Sequence, residues 1–185
     1  MDTIITKEKI ENARKYMPLA MKLILAETIA SWCVKKDDSE SSIERYHEQK
    51  GLRQRLLMGV LARFYLNMDF ECDKVKLVED GKDAGEQEID YFPTADAYDE
   101  LSGAFIMNQL ERMKKEKEVA NSVYDICYDY KAFEQMVHAE IREQLEKKND
   151  VLRRIYSVLT QNISEDALKK LVNDTIEKGD AEDAR

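Results

Sequence analysis

A chain of 185 residues, of which 43% are hydrophobic and 36% charged, has the size of one domain and enough apolar side chains to cover one real core. Six glycines and two prolines are too few for the many tight turns of an all-β fold, and the net charge of −9 speaks against direct nucleic-acid binding. The three cysteines, Cys33, Cys72 and Cys127, are far apart and form no C-x-x-C pair, which fits a reduced, cytosolic compartment.

The N-terminal stretch is charged and amphipathic, unlike a signal peptide. Thr6 is placed to cap a first helix running to Arg14 or Lys15, with Ile10 and Ala13 inward, and Met17-Pro18 then breaks the pattern. A second helix starts at Pro18, a residue suited to a first turn. Leu19, Leu23, Ala26, Ala30 and Cys33 make one stripe on it and Met21, Leu25, Ile29 and Trp32 a neighbouring one. This run is interrupted by Lys22 and Glu27 and is shorter than the roughly 20 residues a membrane span needs, so it reads as the central helix of the core.

Asp37 to Ser42 is polar and serine-rich and reads as a loop. From Ser42 or Gly51 to Asn67 helical spacing returns, with Leu52, Leu56, Val60 and Phe64 on one side, Leu57, Leu61 and Tyr65 beside them, and Arg53, Arg55 and Arg63 as a charged fringe. Between Asp69 and Glu100 the periodicity fades and acids dominate; a long loop is expected, with at most a short strand at Val75 to Val78. Thr94 then caps one or two helical pieces reaching Lys115, with Gly103 as a candidate separator. The strongest periodic signal comes next: Val119, Val123, Ile126, Tyr130, Phe133, Val137, Ile141 and Leu145 trace one helical seam that would close either within the chain or against a second copy. Asn149-Asp150 is expected to interrupt it before Val151, Leu152, Ile155, Tyr156 and Leu159. Ser164 then caps a last helix with Leu168, Leu171, Val172 and Ile176 as its apolar face, ending at Gly179.

Charge is the most distinctive feature. Residues 69–100 hold twelve acids against Lys74, Lys76 and Lys82, which accounts for the whole net charge of the chain. Asp69, Glu71, Asp73, Glu79, Asp80, Asp83, Glu86, Glu88 and Asp90 are therefore the candidate contact residues for a basic protein partner, either as a docking loop or as a nucleic-acid mimic. Solvated decoration explains the same residues.

Chemical motifs are sparse. Asp69, Glu71 and Asp73 alternate as in a calcium loop, but Lys74 stands where glycine is required and Asp80 where the bidentate glutamate belongs. Glu44-Arg45-Tyr46-His47 is half of a di-iron pattern without its second half, since Gln135 precedes His138 by three positions. Glu140, Glu143, Glu146 and Asp150 share a helical face as magnesium ligands would, without a companion cluster, and a ladder of solvated charges including Glu143 with Lys147 explains them. Phosphate-loop, nucleophile-elbow and zinc-protease patterns are missing from the sequence, and Tyr124, Tyr128 and Tyr130 lie among acids, unlike a single-strand platform. No catalytic residue, metal ligand or cofactor is assigned; a metal-dependent hydrolase is the weakest reading.

The succession KYMPLAMK, GLRQRLLMGVLARFYL and FIMNQLERMKK resembles a group of uncharacterised small helical proteins of phages and prophages of low-GC Gram-positive bacteria. The resemblance covers most of residues 7–160 and is least between Asp69 and Glu100. It implies a mobile-element context, in the host cytoplasm or associated with a virion, where such proteins act as assembly adaptors, chaperones or inhibitors of host defence.

Together these readings predict an all-α, compact bundle of about six or seven helices with one long acidic loop. A single domain spans 1–178, the loop occupies 69–94, and 179–185 form a frayed tail. The expected role is a non-enzymatic protein–protein interaction factor that engages a protein partner or a second copy of itself.

Overall fold

The computed structural model describes residues 3–37, 45–79 and 82–162, with backbone alone over 75–79, 82–89 and 158–162 and at 156. The expected helix from Ser164 to Gly179, the tail after it, and the loop residues 38–44 lie outside these. The described chain is mostly helical, with α1 (Lys7–Glu11), α2 (Leu19–Cys33), α3 (Lys50–Gly59) running into a π-helical segment (Val60–Tyr65), α4 (Ala95–Gly103), α5 (Ile106–Met113) and α6 (Ala120–Asn162). Two small antiparallel sheets accompany the helices: β1 (Val34–Lys36) with β2 (Tyr46–Glu48), and β3 (Cys72–Glu79) with β4 (Lys82–Pro93). The all-α expectation is corrected by these two ribbons.

The backbone of the fold is α6, 43 residues long. The seam positions Val119, just before it, and Val123, Ile126, Phe133 and Val137 along it are at most 1% exposed, Tyr130 and Ile141 are buried, and Leu145 packs at the edge of the same core. The seam therefore closes within the chain. Residues 3–36 run along α6 in the same direction: Lys7 pairs with Glu118, Tyr16 with Asp125 and Lys22 with Asp129, while Lys36 pairs with Tyr46, which in turn meets Asn149. The expected interruption at Asn149-Asp150 does not occur. Asn149 instead stays helical and clamps β2, accepting from the Tyr46 N–H at 3.0 Å and donating to its carbonyl at 3.3 Å.

Capping follows the sequence where the chemistry is local. Thr6 accepts from the Lys9 N–H and Thr94 from the Ala97 N–H, each at 3.2 Å. The first helix stops earlier than expected because the chain turns after Asn12 and the Arg14 N–H reaches the Tyr65 carbonyl at 3.0 Å. Between α4 and α5 the break falls at Phe105, whose φ of 51° lies in the left-handed region that a bulky residue enters only under strain. Gln109 holds that turn, donating to the carbonyls of Ala104 and Thr3 and accepting from the Ile5 N–H.

The segment 69–94, expected to be an acidic loop, is instead a β-hairpin rooted on α3 and the π-helical segment. Arg55 and Arg63, expected as a solvated fringe, are its anchors. Arg55 donates to the Pro93 carbonyl at 2.5 Å and to Asp73 at 2.7 Å with its guanidinium over the Phe92 ring, and Arg63 donates to the carbonyls of Phe70 at 2.7 Å and Asp90 at 3.0 Å. Arg53 pairs with Glu48 of β2 rather than with solvent. Gly59 makes the close approach possible: a Cβ there would stand 2.1 Å from the Tyr91 carbonyl oxygen and 2.7 Å from the Pro93 ring. Backbone atoms of β4 cannot yield as a flexible side chain would. Gly59→Ala is expected to destabilise the fold by about 2–3 kcal/mol or more, read as a lowered urea midpoint, whereas Gly51→Ala, whose Cβ would meet nothing within 4 Å, should leave the midpoint unchanged or raise it.

Candidate interaction surface

Of the sequence-derived candidates, the acidic residues are distributed along the hairpin rather than gathered into a pocket. Asp69 and Glu71 are exposed at its root, where Glu71 lends its carbonyl to the Thr94 N–H, and Asp73 is neutralised by Arg55. Further out, the register sets Lys74 opposite Glu88, Lys76 opposite Glu86 and Glu79 opposite Lys82. All three lysines of the segment thus stand across from a glutamate, an arrangement that stabilises a two-stranded ribbon and lowers its field. Asp83 lies on β4 opposite Val78, Asp90 is exposed near the root, and Asp80 lies outside the described residues.

The metal-like patterns are not brought together. Among the described residues no group of three or more His, Cys, Asp or Glu side chains could hold a metal ion. His47 sits exposed on a strand, not on the helix that a Glu-x-x-His unit requires, and Glu44 lies outside the described residues. Glu143 pairs with Lys147 at 2.5 Å and Asp150 lies 3.7 Å from Arg153, as a charge ladder on one helix does. Cys33 is fully buried and its thiol is pushed up to about 11 by burial, which makes it inert. Cys72, uncertain from its acidic neighbourhood, is buried against the Arg63 guanidinium at 2.9 Å.

An unexpected feature lies where residues 16–24 cross α6. Lys22, inside the most apolar run of the chain, is the buried residue of the first turns of α2, and its ammonium pairs with Asp129 of α6. The other Asp129 oxygen accepts from the Met17 N–H and from the Tyr65 hydroxyl, each at 2.8 Å. Burial alone would raise the Asp129 pKa; the Lys22, Met17 and Tyr65 hydrogen bonds and the Lys22 charge outweigh it and leave the carboxyl below its ordinary value. Burial, reinforced by the Asp129 carboxylate, pushes the Tyr65 phenol well above its ordinary range, so it remains a donor.

Because Lys22 points inward, the first two positions of the stripe expected to be buried, Leu19 and Leu23, are turned out, while Ala26, Ala30 and Cys33 further along it are buried as expected. Leu19, Leu23 and Ile24 are 66%, 54% and 65% exposed, with Tyr16 at 59% beside them. On α6, Tyr124 and Tyr128 stand one turn apart, also outward, and Tyr16 reaches α6 through Asp125. Three aliphatic side chains are thus exposed on α2 with Tyr16 just before it, while the Tyr124 ring on α6 lies under the Lys114 ammonium at 5.3 Å. A smaller apolar pair, Ile4 and Phe105, is brought to the surface where Gln109 ties the N-terminal strand to the strained turn. Periodicity cannot reveal the first surface, since it assigns Leu19 and Leu23 inward; the one available signal is the lysine at position 22.

No helix among the described residues is long and apolar enough to cross a membrane. Comparison with known protein families, curated proteins and solved structures finds no match.

Removing one partner of a buried pair strands the other, so Asp129→Ala is expected to cost about 3–5 kcal/mol of unfolding free energy, while Lys22→Met combined with Asp129→Leu should cost much less. The depressed Asp129 pKa gives stability that is fully present above the unfolded carboxylate value of roughly 3.9 and is lost as pH falls through the lower folded value. Urea titrations from neutral to strongly acid pH should therefore show a shallower acid limb in the double variant; identical limbs would rule out this role for Asp129.

Proposed function

We propose that this chain is a non-enzymatic protein–protein interaction protein, and that the outward face of α2 with the flanking tyrosines is its contact surface. The observation that carries the reading is the exposure of Leu19, Leu23 and Ile24 at 54–66% in a protein that buries its long helical seam. Isolated exposed apolar residues need no explanation, whereas several on adjacent helical turns with an exposed tyrosine just before them have the composition of an interface centre.

Magnitudes narrow the reading. Covering the exposed parts of the three aliphatic side chains returns roughly 3–5 kcal/mol, less than the roughly 4–15 kcal/mol lost when two bodies associate. Stable binding therefore needs the tyrosines as well, each contributing ring area at little rotamer cost and a hydroxyl that stays hydrogen-bonded at the rim. The phage-type resemblance of the sequence makes an assembly or adaptor role the specific form of this proposal.

The acidic-mimic alternative is weakened by the ribbon register, which places each of the three lysines across from a glutamate. Tagged chain would be used to recover partners from the native host at low and moderate salt, alongside two variants. Leu23→Asp with Ile24→Asp should lose the partner while shifting Tm by no more than about 2 °C, as surface substitutions do. Asp83→Asn with Glu86→Gln and Glu88→Gln should retain it at moderate salt. The reverse pattern would move the contact surface to the hairpin.

A further inference from the structure

The N-terminal segment changes the electrostatic character of α6. Lys7 pairs with Glu116 at 3.4 Å and with Glu118 at 2.7 Å on the turn that leads into the helix, the Tyr16 hydroxyl donates to Asp125, and Lys22 pairs with Asp129. Four acids between positions 116 and 129 are thus engaged by residues 7–22. The cations around them are left outward: Lys115, Lys117, Lys131 and Arg142 are exposed and form no ion pair with a described residue.

These cations share a face with the outward tyrosines. Tyr124, Tyr128, Lys131, Gln135, His138 and Arg142 follow one another at spacings of four, three, four, three and four, which traces one row along an α-helix, about 27 Å long. All six are exposed, the two tyrosines at 57% and 78%. Lys114, itself paired with Glu111, stands over the Tyr124 ring at 5.3 Å and adds positive charge at that end. Toward the other end, Lys131, Glu134, Gln135, His138, Ala139 and Arg142 line an open concavity of about 540 Å³, in which the one acid, Glu134, is half-buried. Asp125 and Asp129, which make the tyrosines look acidic in the sequence, stand to one side of the row and are already engaged.

We propose that this row is a docking surface for an acidic polypeptide segment, bound extended along α6 with carboxylates at Lys131 and Arg142 and its apolar parts against the two tyrosine rings. Charge complementarity selects the partner's chemistry: in a chain of net charge −9, this face presents cations whose neighbouring acids are taken up elsewhere. The positive charges are too sparse for a nucleic acid. Lys131 and Arg142 lie eleven positions or about 16 Å apart along the axis, whereas phosphates recur roughly every 3.4 Å of axis in each strand of a duplex. About eight extended residues cover the length of the row, with room to place carboxylates several residues apart. The arginine fork takes a carboxylate bidentately, and the tyrosine hydroxyls and the Gln135 amide supply further donors. The row shares only its tyrosines with the contact surface proposed above and does not depend on the α2 face.

The test is fluorescence anisotropy at low salt with a labelled ten-residue peptide alternating glutamate and alanine, and with its glutamine counterpart. The glutamate peptide should bind about tenfold more tightly than the glutamine one and weaken as salt rises. Lys131→Ala with Arg142→Ala should lower its affinity on the order of tenfold, the sum of two exposed charge contacts. Tyr124→Ala with Tyr128→Ala should lower it as well, with unchanged urea midpoints showing that the fold is kept. Lys147→Ala with Arg154→Ala removes the same charge from a different side of α6 and should change the affinity by less than about twofold. Absence of binding by the unaltered chain, or an equal loss in both cation pairs, overturns the proposal. So does tighter binding of a labelled ten-thymidine oligonucleotide, which assigns the row to nucleic acid. Leu23→Ser with Ile24→Ser should bind the peptide as the unaltered chain does, so that failure of the α2 surface and failure of this row are read separately.

Discussion

Asp129 is the point on which the arrangement of this molecule turns. Its carboxylate collects the Lys22 ammonium, the Met17 N–H and the Tyr65 hydroxyl, so one side chain of α6 fixes the second helix, the bend before it and the π-helical segment together. Helix α2 begins at Pro18 with no side-chain cap, and the Asp129 oxygen beside the preceding N–H places negative charge where the helix dipole favours it. An apolar core could have packed these elements as firmly, since the desolvation of a buried pair consumes much of what its attraction returns. What the polar cluster adds is direction: hydrogen bonds to three donors admit one rotation of α2, whereas a helix with apolar residues on nearly every side would be content with several.

That rotation has consequences at the surface and beneath it. Turning Lys22 inward sends Leu19, Leu23 and Ile24 outward, and it brings Ala26, Ile29, Ala30 and Cys33 against α6 and α3 further along. The widened π-helical turn is the complementary adjustment, because Val60, Leu61, Ala62, Phe64 and Tyr65 are all buried, a demand that one stripe of a regular helix does not meet. Tyr65 ends that turn with its hydroxyl on Asp129 and its ring edge-on to Tyr130. Two residues earlier, Arg63 leaves the opposite side of the turn to grip the hairpin.

The parts of this architecture that local spacing controls are legible in the sequence: the α6 seam, the Thr6 and Thr94 caps, the break before α2 and the extent of α3. Position 22 is not, because a lysine in an apolar run acquires its meaning from an aspartate 107 residues away, and no local period encodes such a partner. The hairpin is partly legible. Lys74-Val75-Lys76-Leu77 and Glu86-Gln87-Glu88-Ile89-Asp90 both alternate with period two, and Asp80-Gly81 between them is a strong two-residue turn signal. The density of acids masks that alternation. The Asn149 clamp is hidden for a related reason: asparagine in a helix looks like a breaker until a strand edge arrives to use its amide.

Charge and apolar surface are thereby assigned different duties from those that composition suggests. Of the nine acids of 69–94, Asp73 is paired with Arg55 and three glutamates lie across from Lys74, Lys76 and Lys82 in the register, while Arg55 and Arg63, eight positions apart, hold the root. The hairpin is held at its root by Arg55 and Arg63, and its register sets charges of opposite sign across from one another. Exposed aliphatic side chains, by contrast, gather on the face of α2 that the buried ion pair turns outward. The interaction that costs most to bury is therefore also the one that decides which side chains of α2 face outward.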